Sequence, residues 1–176
     1  MKIIKTKFKD LYLIKTKAHK DFRGNFVELF NLKEFKKKTK LNLKFVQDNL
    51  STSKKNVLRG LHYQNKKQQG KLISCIKGSL LDIAVDLRKK SNTYGKCFLK
   101  KLYANDNILI WIPKGFAHGF YSYENNTQLF YKTTQYYYPK FENIIIWNDK
   151  NLNIKWRIKK KPILSKKDLN GKNFNK

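Results

Sequence analysis

The chain has 176 residues and a mass of 21.0 kDa, enough for one domain with a hydrophobic core and too short for two. Hydrophobic residues make up 40% and aromatic residues 14% of the sequence, which excludes a disordered chain. The net charge is +28, yet only four of the forty basic residues are Arg. Because base readout favours the planar Arg side chain, we expect no specific nucleic-acid partner, although the positive field attracts anionic ligands.

Apolar and polar residues alternate with a period of two along most of the chain, and turn signals recur at short intervals. This pattern predicts an all-β protein, a sandwich or jelly-roll barrel with a few short helices. The stretch 32–40 is the one expected early helix. The expected strands are 26–30, 45–50, 72–76, 81–87, 98–103, 108–112, 119–122, 128–134 and 144–147.

Short polar segments provide the expected reversals between these strands. In the strand 81–87 the apolar residues Leu81, Ile83 and Val85 alternate with a second set that includes the carboxylates Asp82 and Asp86. We therefore expect one apolar face and one face that carries polar groups. From residue 159 onward the chain is rich in Lys with few apolar anchors, and we expect its extreme end to fray. The expected turns are Lys77-Gly78-Ser79, Asn105-Asp106-Asn107 and Glu124-Asn125-Asn126.

Several features favour a cytoplasmic location without a membrane partner. No run of 18 apolar residues is present, and Lys interrupts the first apolar residues before a signal-peptide core can form. Cys75 and Cys97 lie far apart, with no Cys-x-x-Cys motif and no paired His. We therefore expect two reduced thiols packed in strands.

The segment 58–64 places Arg59, His62 and Gln64 close together along the chain. An Arg side chain can neutralise a phosphate, and a His can exchange a proton near neutral pH. A lone His among apolar neighbours is more often a structural residue, so this segment by itself leaves catalysis and packing open.

Three further positions strengthen the prediction of a site. His118 lies between Gly115 and Gly119, where the backbone can pass close to a ligand. Lys71 follows a glycine at the entrance of a predicted strand, and Tyr131 lies within another.

These segments, together with others spread over nearly the whole chain, carry a resemblance to a known family. The sequence resembles the dTDP-4-dehydrorhamnose 3,5-epimerases, which are metal-independent sugar-nucleotide epimerases of the cupin superfamily, and the matching segments follow one another in the same order. The resemblance implies a cupin-type jelly-roll barrel formed by one domain, residues 1–176. The matching blocks are 21–28, 45–49, 59–64, 70–72, 82–88, 91–95, 113–120, 131–137, 147–149, 154–156 and 164–168.

The resemblance also implies that neither a metal nor a cofactor takes part. Metal-binding cupins carry closely spaced His ligands, and His62 has no second His two residues away. A three-ligand site has no obvious third member, so we expect a metal-free enzyme.

The family chemistry assigns roles to four catalytic residues. A 4-keto group acidifies the hydrogens at C3 and C5 of the sugar, so a base in reach can remove them if the enolate is stabilised. By resemblance His62 is that base, and Asp168 orients it through the other imidazole nitrogen. Lys71, held by Asp82, stabilises the charge on the C4 oxygen. Tyr131 returns a proton on the opposite face, which inverts the carbon.

Substrate binding is implied in the same way. Arg23 and Arg59 match the diphosphate-contacting arginines, with Lys167 as a further candidate, since the Arg fork engages two phosphate oxygens at once. Tyr137 matches the aromatic residue that stacks on the base, but three successive tyrosines, 136–138, leave its register open. The other expected substrate contacts are Phe26, Glu28, Gln47, Asn49, Asp82, His118 and Glu142.

The resemblance further implies a homodimer in which the N-terminal strand reaches the neighbouring subunit's site. Arg23, Phe26 and Glu28 then serve the partner. The sequence departs from the family after Trp156, where the usual Trp-Pro gives way to a basic run, 157–161.

The predicted function is epimerisation at C3 and C5 of dTDP-4-dehydro-6-deoxyglucose to dTDP-4-dehydro-L-rhamnose, in dTDP-L-rhamnose biosynthesis. One alternative is an epimerase that acts at a single carbon or on another 4-keto sugar nucleotide. A more distant alternative is a jelly roll without catalysis that binds polyanions or membrane surfaces through its charge.

Overall fold

The computed structural model describes residues 1–158 and 160–175. These residues form thirteen strands, β1–β13, and two short helices, and none of the described helices is long and apolar enough to cross a membrane. The helices are α1 (Leu32–Thr39) and α2 (Lys166–Leu169). The strands are β1 (Lys2–Lys5), β2 (Tyr12–Lys15), β3 (Ala18–Asp21), β4 (Gly24–Val27), β5 (Gln47–Ser53), β6 (Leu58–Gln64), β7 (Lys71–Lys77), β8 (Ser79–Asp86), β9 (Cys97–Tyr103), β10 (Ile108–Ile112), β11 (Phe116–Ser122), β12 (Thr127–Thr133) and β13 (Glu142–Ile144).

Two antiparallel sheets pack face to face. The first has six strands in the order β1-β2-β10-β7-β12-β5, and the second has five in the order β13-β6-β11-β8-β9. Strands β3 and β4 form a separate hairpin outside both sheets. The predicted all-β, cupin-type jelly roll is confirmed, and its two sheets form a sandwich without closing on each other.

The main core lies between the two sheets. Each strand alternates its side chains between this interior and an outer face, so every second residue of the central strands enters the core. The six-stranded sheet contributes Ile73, Cys75, Ile110, Ile112 and Leu129, and the five-stranded sheet contributes Leu80, Ala84, Leu102, Phe116 and Phe120.

Outer layers cover both sheets. On the six-stranded sheet, Phe35 of α1 is fully buried and packs against Trp111 with ring centroids 5.9 Å apart. On the five-stranded sheet, the C-terminal segment buries Trp156 and Phe174 against the outward side chains of that sheet. The backbone N–H of Phe174 donates to Asp149 at 2.7 Å. Fraying was expected for the last residues of the chain; Phe174 is docked by these contacts, and Lys176 lies outside the described residues.

Strand β8 differs from the prediction in one respect. All eight of its residues are buried, and the face that carries Asp82 joins Leu80 and Ala84 in the core between the sheets. The expectation that this face is polar rather than core was wrong, because both faces of the central strand are covered.

Asp86 at the end of β8 is stabilised as a buried carboxylate. Burial raises its pKa, but hydrogen bonds from Arg88, Thr93 and Ser91 outweigh that effect and lower the pKa to about 2. The Arg88 guanidinium donates to it at 2.7 Å and the Thr93 hydroxyl at 2.6 Å.

Predicted and observed elements agree closely for four strands and one helix. The expected strands 72–76, 98–103, 108–112 and 128–134 correspond to β7, β9, β10 and β12, and the expected helix corresponds to α1. Two strand predictions were wrong in extent, because β4 ends at Val27 and the strand expected at 144–147 is β13, which ends at Ile144. The sequence pattern missed β1, β2, β3 and β6, which are short, rich in Lys or interrupted by polar and Gly residues.

Both cysteines are free, as expected. Cys75 is buried in β7, and Cys97 is partly buried in β9. Burial raises the pKa of each thiol to about 11, so both remain protonated near neutral pH.

The docked C-terminal segment generates a stability prediction. Phe174→Ala removes a side chain that is 5% exposed and packs against Tyr94, so we expect a loss of about 3–5 kcal/mol in the free energy of unfolding. Leu169→Ala, in the same segment but 53% exposed, should change it by less than about 0.5 kcal/mol. Urea unfolding measures both, and equal effects would show that Phe174 does not anchor the segment.

Candidate active site

A cavity of about 300 Å³ opens between the two sheets at one end of the sandwich. Its walls come from β5, β7 and β12 of one sheet and β6 and β13 of the other, together with the segment after β12. It brings together many of the predicted site residues with some that were not predicted. The lining residues are Gln47, Asn49, His62, Tyr63, Gln64, Gln69, Lys71, Tyr131, Tyr137 and Glu142.

His62 and Asp168 form a direct pair. The imidazole Nε2 of His62 lies 2.6 Å from Oδ1 of Asp168, although the two residues are 106 positions apart in the chain. Strand β6 supplies His62, and the short helix α2 brings Asp168 to it. The carboxylate fixes which ring nitrogen carries the proton and so orients the other nitrogen for proton transfer.

Asp168 is itself held from three sides. It is 2% exposed, accepts a hydrogen bond from the Ser165 hydroxyl at 2.7 Å and accepts another from the Gly60 N–H at 3.2 Å. Burial raises its pKa, but the hydrogen bonds from His62 and Ser165 outweigh burial, so the pKa lies below its usual value. Asp168 therefore stays ionised beside the imidazole.

Tyr131 lies on the opposite wall, since β12 belongs to the other sheet. Burial raises the pKa of its phenol, with partial compensation from the positive charge of Arg59. The hydroxyl therefore keeps its proton near neutral pH and can release it only to a strong base nearby.

Lys71 is the first residue of β7 and contributes a cation to the same cavity. Burial lowers its pKa to about 8, with partial compensation from the carboxylates of Asp82 and Glu142. The expected direct contact with Asp82 does not form, because Oδ1 of Asp82 has no hydrogen-bond partner among the described residues and Oδ2 pairs with His118 at 2.7 Å.

His118 is buried beneath the cavity floor rather than exposed in it. It is 7% exposed and lies directly opposite His62 in the pairing of β11 with β6. Its partner Asp82 is fully buried. The two predicted contact residues thus form a second His–Asp pair behind the cavity.

Tyr137, Glu142 and Lys167 meet at the rim. The Tyr137 hydroxyl and the Lys167 ammonium each donate to Oε2 of Glu142 at 3.0 Å. Of the three successive tyrosines, Tyr137 lines the cavity, which favours it over its two neighbours as the stacking residue.

Gln47 and Asn49 follow each other on the inner side of β5. The Gln47 amide donates to Oδ1 of Asn49 at 2.8 Å. Arg59 lies outside the cavity lining, on the exposed side of β6, where it donates to Ser53 at 3.2 Å and to the carbonyl of Thr52 at 3.3 Å.

Arg23, Phe26 and Glu28 do not reach the cavity of their own chain. Arg23 and Phe26 lie on the β3–β4 hairpin, where Phe26 is 70% exposed and Arg23 pairs with Asp21 at 2.6 Å. Glu28 follows the hairpin and accepts a hydrogen bond from Asn31 at 3.2 Å.

Sequence reasoning assigned no role to four residues of the site. Tyr63, Gln64 and Gln69 line the cavity, and Ser165 holds Asp168. Two signals were available: Gln64 is two residues after His62 on one strand, and Ser165 precedes Asp168 by three residues, as in a helix N-cap. No group of three or more His, Cys, Asp or Glu residues in the described ranges is arranged to hold a metal ion.

An oriented His, a Tyr on the facing wall and a Lys in one cavity of a cupin-type sandwich are groups that acid–base catalysis uses. Comparisons with known proteins identify the family. The family model for dTDP-4-dehydrorhamnose 3,5-epimerase matches residues 5–176. The dTDP-4-dehydrorhamnose 3,5-epimerase of Shigella flexneri is 45% identical over 175 residues, which are 99% of this chain and 96% of that protein.

Solved structures agree with this match. The crystal structure of dTDP-4-dehydrorhamnose 3,5-epimerase from Elizabethkingia anophelis has a TM-score of 0.94 and 44% identity, covering 99% of this chain and 96% of that one. The dTDP-6-deoxy-D-glucose-3,5-epimerase of Legionella pneumophila, in complex with dTDP-4-keto-L-rhamnose, has a TM-score of 0.94 and 42% identity, covering 98% and 92%. The chain belongs to the dTDP-4-dehydrorhamnose 3,5-epimerase family, whose members are isomerases.

The low pKa of Lys71 generates a prediction about stability. Between pH 8 and 10.5 the unfolded chain holds a proton that the folded protein has released, so the free energy of unfolding rises with pH across this window. Lys71→Met should lack this increment. Urea unfolding of both proteins at several pH values measures this increment as the difference in their free energies of unfolding, in which the contributions of other groups cancel. A difference that stays constant with pH would contradict the assignment.

Proposed function

We propose that the protein epimerises dTDP-4-dehydro-6-deoxyglucose at C3 and C5 to dTDP-4-dehydro-L-rhamnose. The observation that carries this proposal is the placement of the His62–Asp168 pair and Tyr131 on opposite walls of one cavity. Inversion of a carbon needs a base on one face and an acid on the other, and this arrangement supplies both.

Each inversion takes two proton transfers. His62 takes the hydrogen from the carbon next to the keto group, and the resulting imidazolium is stabilised by the ionised Asp168. The carbanion is delocalised as an enolate onto the C4 oxygen. Tyr131 then delivers its proton to the opposite face of the same carbon, which inverts it. Proton exchange with solvent returns His62 to its neutral form and Tyr131 to its protonated form.

Lys71 supports the enolate. Its ammonium lines the cavity between the two walls and is the cation available to the charged oxygen there. Since burial has removed much of its hydration, its interaction with a developing negative charge is stronger than that of an exposed Lys.

The nucleotide requires cations and an aromatic surface. Arg59 lies near enough to Tyr131 for its charge to act on that phenol, Lys167 pairs with Glu142, and Tyr137 offers its ring at the rim. We infer that the arginine and lysine bind the diphosphate, with Lys167 exchanging Glu142 for a phosphate oxygen, and that Tyr137 stacks on the base. Gln47, Asn49 and Glu142 complete the polar wall, and His118 with Asp82 supports it from behind.

The His62–Asp168 pair on the wall opposite Tyr131 favours this function over one without catalysis, because a polyanion binder needs neither an oriented His nor a facing Tyr. The two free thiols fit a reducing compartment, and we place the enzyme in the cytoplasm. No metal or cofactor is required by the proposed steps.

Tyr131→Phe tests the mechanism. The variant keeps the ring but loses the acid, so we expect His62-dependent hydrogen exchange to survive while inversion falls by about 100-fold, most strongly at C5. The measurement is incubation of the dTDP-4-keto-6-deoxyglucose substrate in deuterated water, with NMR to locate the label.

His62→Ala is the matched control, since it removes the base and should abolish deuterium uptake at both carbons. Doubly inverted product from Tyr131→Phe at the wild-type rate would refute the role of Tyr131. Label at C3 alone with the wild-type enzyme would favour the epimerase that acts at a single carbon.

We also propose a homodimer in which the β3–β4 hairpin completes the neighbouring subunit's cavity. The support is that Phe22 and Arg23 lie at the tip of this hairpin, where Phe22 is 99% exposed, and that Phe26 on β4 is 70% exposed. A hairpin outside both sheets with two exposed Phe rings is poorly stable alone and gains burial against a partner.

A complementation experiment tests this arrangement. Arg23→Ala and His62→Ala should each be inactive, and a mixture refolded together should regain about a quarter of the wild-type activity, because half of the dimers then hold one intact site. The refolded single variants serve as controls. If Arg23 served its own chain, the mixture would stay inactive.

A further inference from the structure

The segment 135–138, between β12 and the turn that starts at Pro139, carries Tyr137 into the cavity. Four main-chain groups of this segment have no main-chain partner in the described part of the chain. Each of them is instead hydrogen-bonded to a glutamine side chain. The three glutamines, Gln47, Gln64 and Gln69, come from three different places in the chain, and all of them line the same cavity.

The contacts are specific in direction. Gln69 donates from Nε2 to the carbonyl of residue 135 at 2.9 Å. Gln64, which is 5% exposed, donates from Nε2 to the carbonyl of Tyr136 at 3.3 Å and accepts at Oε1 from the N–H of Tyr138 at 2.7 Å. Gln47 accepts at Oε1 from the N–H of Tyr137 at 3.0 Å.

The main chain determines which end of each amide points where. A backbone N–H can only donate and a carbonyl can only accept, so the partner atom must be an amide oxygen in the first case and an amide nitrogen in the second. Gln47 therefore acts on the segment as an acceptor and Gln69 as a donor. Gln64 performs both functions.

We propose that Gln47, Gln64 and Gln69 are positioning residues that hold the segment 135–138 so that the Tyr137 ring stays fixed at the rim of the cavity. We call this set the glutamine cradle. The proposal rests on the proposed function for the identity of the ligand, a dTDP nucleotide. It implies that Gln47 acts through Tyr137, in addition to any contact of its own with the substrate.

Fixing the ring before the ligand arrives lowers the cost of binding, because an ordered side chain loses less conformational entropy in the complex. Without the cradle, three of the four main-chain groups would have only water as a partner, since the carbonyl of residue 135 also accepts from Thr133, and the segment could adopt several arrangements. The nucleobase of the ligand would then meet a tyrosine ring without a fixed position. The cradle therefore acts on affinity for the nucleotide and leaves the His62–Asp168 pair untouched.

Opposite effects of the same two substitutions at Gln47 and Gln69 test the proposal. At Gln69, Glu places a carboxylate against the carbonyl of residue 135, whereas Met only removes a donor, since that carbonyl also accepts from Thr133 at 2.8 Å. We expect Gln69→Glu to bind dTDP on the order of tenfold more weakly than Gln69→Met. At Gln47 the order reverses, because Glu keeps the acceptor for the Tyr137 N–H and Met leaves that N–H unpaired.

Calorimetry with dTDP measures the affinities, and Gln68→Glu is the matched control for the added charge. Gln68 is exposed, adjacent to Gln69 and without a side-chain hydrogen bond to any described residue. The Gln69→Glu variant should also show a raised KM with kcat preserved. In a Tyr137→Ala background the difference between Gln69→Glu and Gln69→Met should vanish, since the ring that they position is gone.

The same order of effects at both positions, or differences that persist without Tyr137, would overturn the proposal. Hydrogen exchange of the Tyr137 and Tyr138 amides provides a readout that needs no ligand. Exchange of the Tyr137 amide should accelerate in Gln47→Met and not in Gln68→Glu. If the wild-type protein failed to bind dTDP, the proposed function would fail, and the amide exchange rates would still decide whether the cradle exists.

Discussion

The close approach of β6 and β11 at Gly60 and Gly119 is the contact on which the site depends. A Cβ atom at Gly60 would lie 2.6 Å from Cα of Gly119 and 2.7 Å from the carbonyl oxygen of His118, so a side chain has no room there. Gly60 also has a φ of +119°, which other residues rarely adopt. The absence of both side chains lets the strands meet at this point.

Several features of the site follow from that contact. It allows the Gly60 N–H to reach Asp168 at 3.2 Å, and two residues later the strand presents His62 to the same carboxylate. On the neighbouring strand it sets His118 opposite His62, with Asp82 behind it. The neighbouring strands β6 and β11 thus carry the histidines of two His–Asp pairs. His62–Asp168 faces the cavity, and His118–Asp82 lies behind it.

The sequence predicted the parts of this molecule that depend on local pattern or on matched motifs. The continuous apolar run 108–112 was enough to predict β10. The segment around His62 pointed to a site only together with the other matched motifs. Strand β6 was missed, because Arg59, Gly60 and His62 break the apolar alternation that marks a strand. When a strand carries site residues, the apolar pattern alone predicts a loop in its place.

What could not be predicted depends on contacts between distant segments. Nothing local to Asp82 shows that its carboxylate turns toward His118 and not toward Lys71, because this depends on the register of β8 with β11. In the same way, the glutamines of the cradle are ordinary polar residues in the sequence. Their role emerges only when β12 ends beside them, so spacing along the chain carries no signal for it.

The distance in sequence between His62 and Asp168 has a consequence for biosynthesis. The cavity, the base and Tyr131 are all present in the chain before α2 has been translated, yet the carboxylate that orients the base comes from the last tenth of the molecule. Until this last segment docks, His62 lacks the carboxylate that orients it, so the site is completed only when the C-terminal end folds onto the sheet. A chain that stops short of α2 would lose Asp168 together with Phe174, the orienting group and the anchor of the chain end at once.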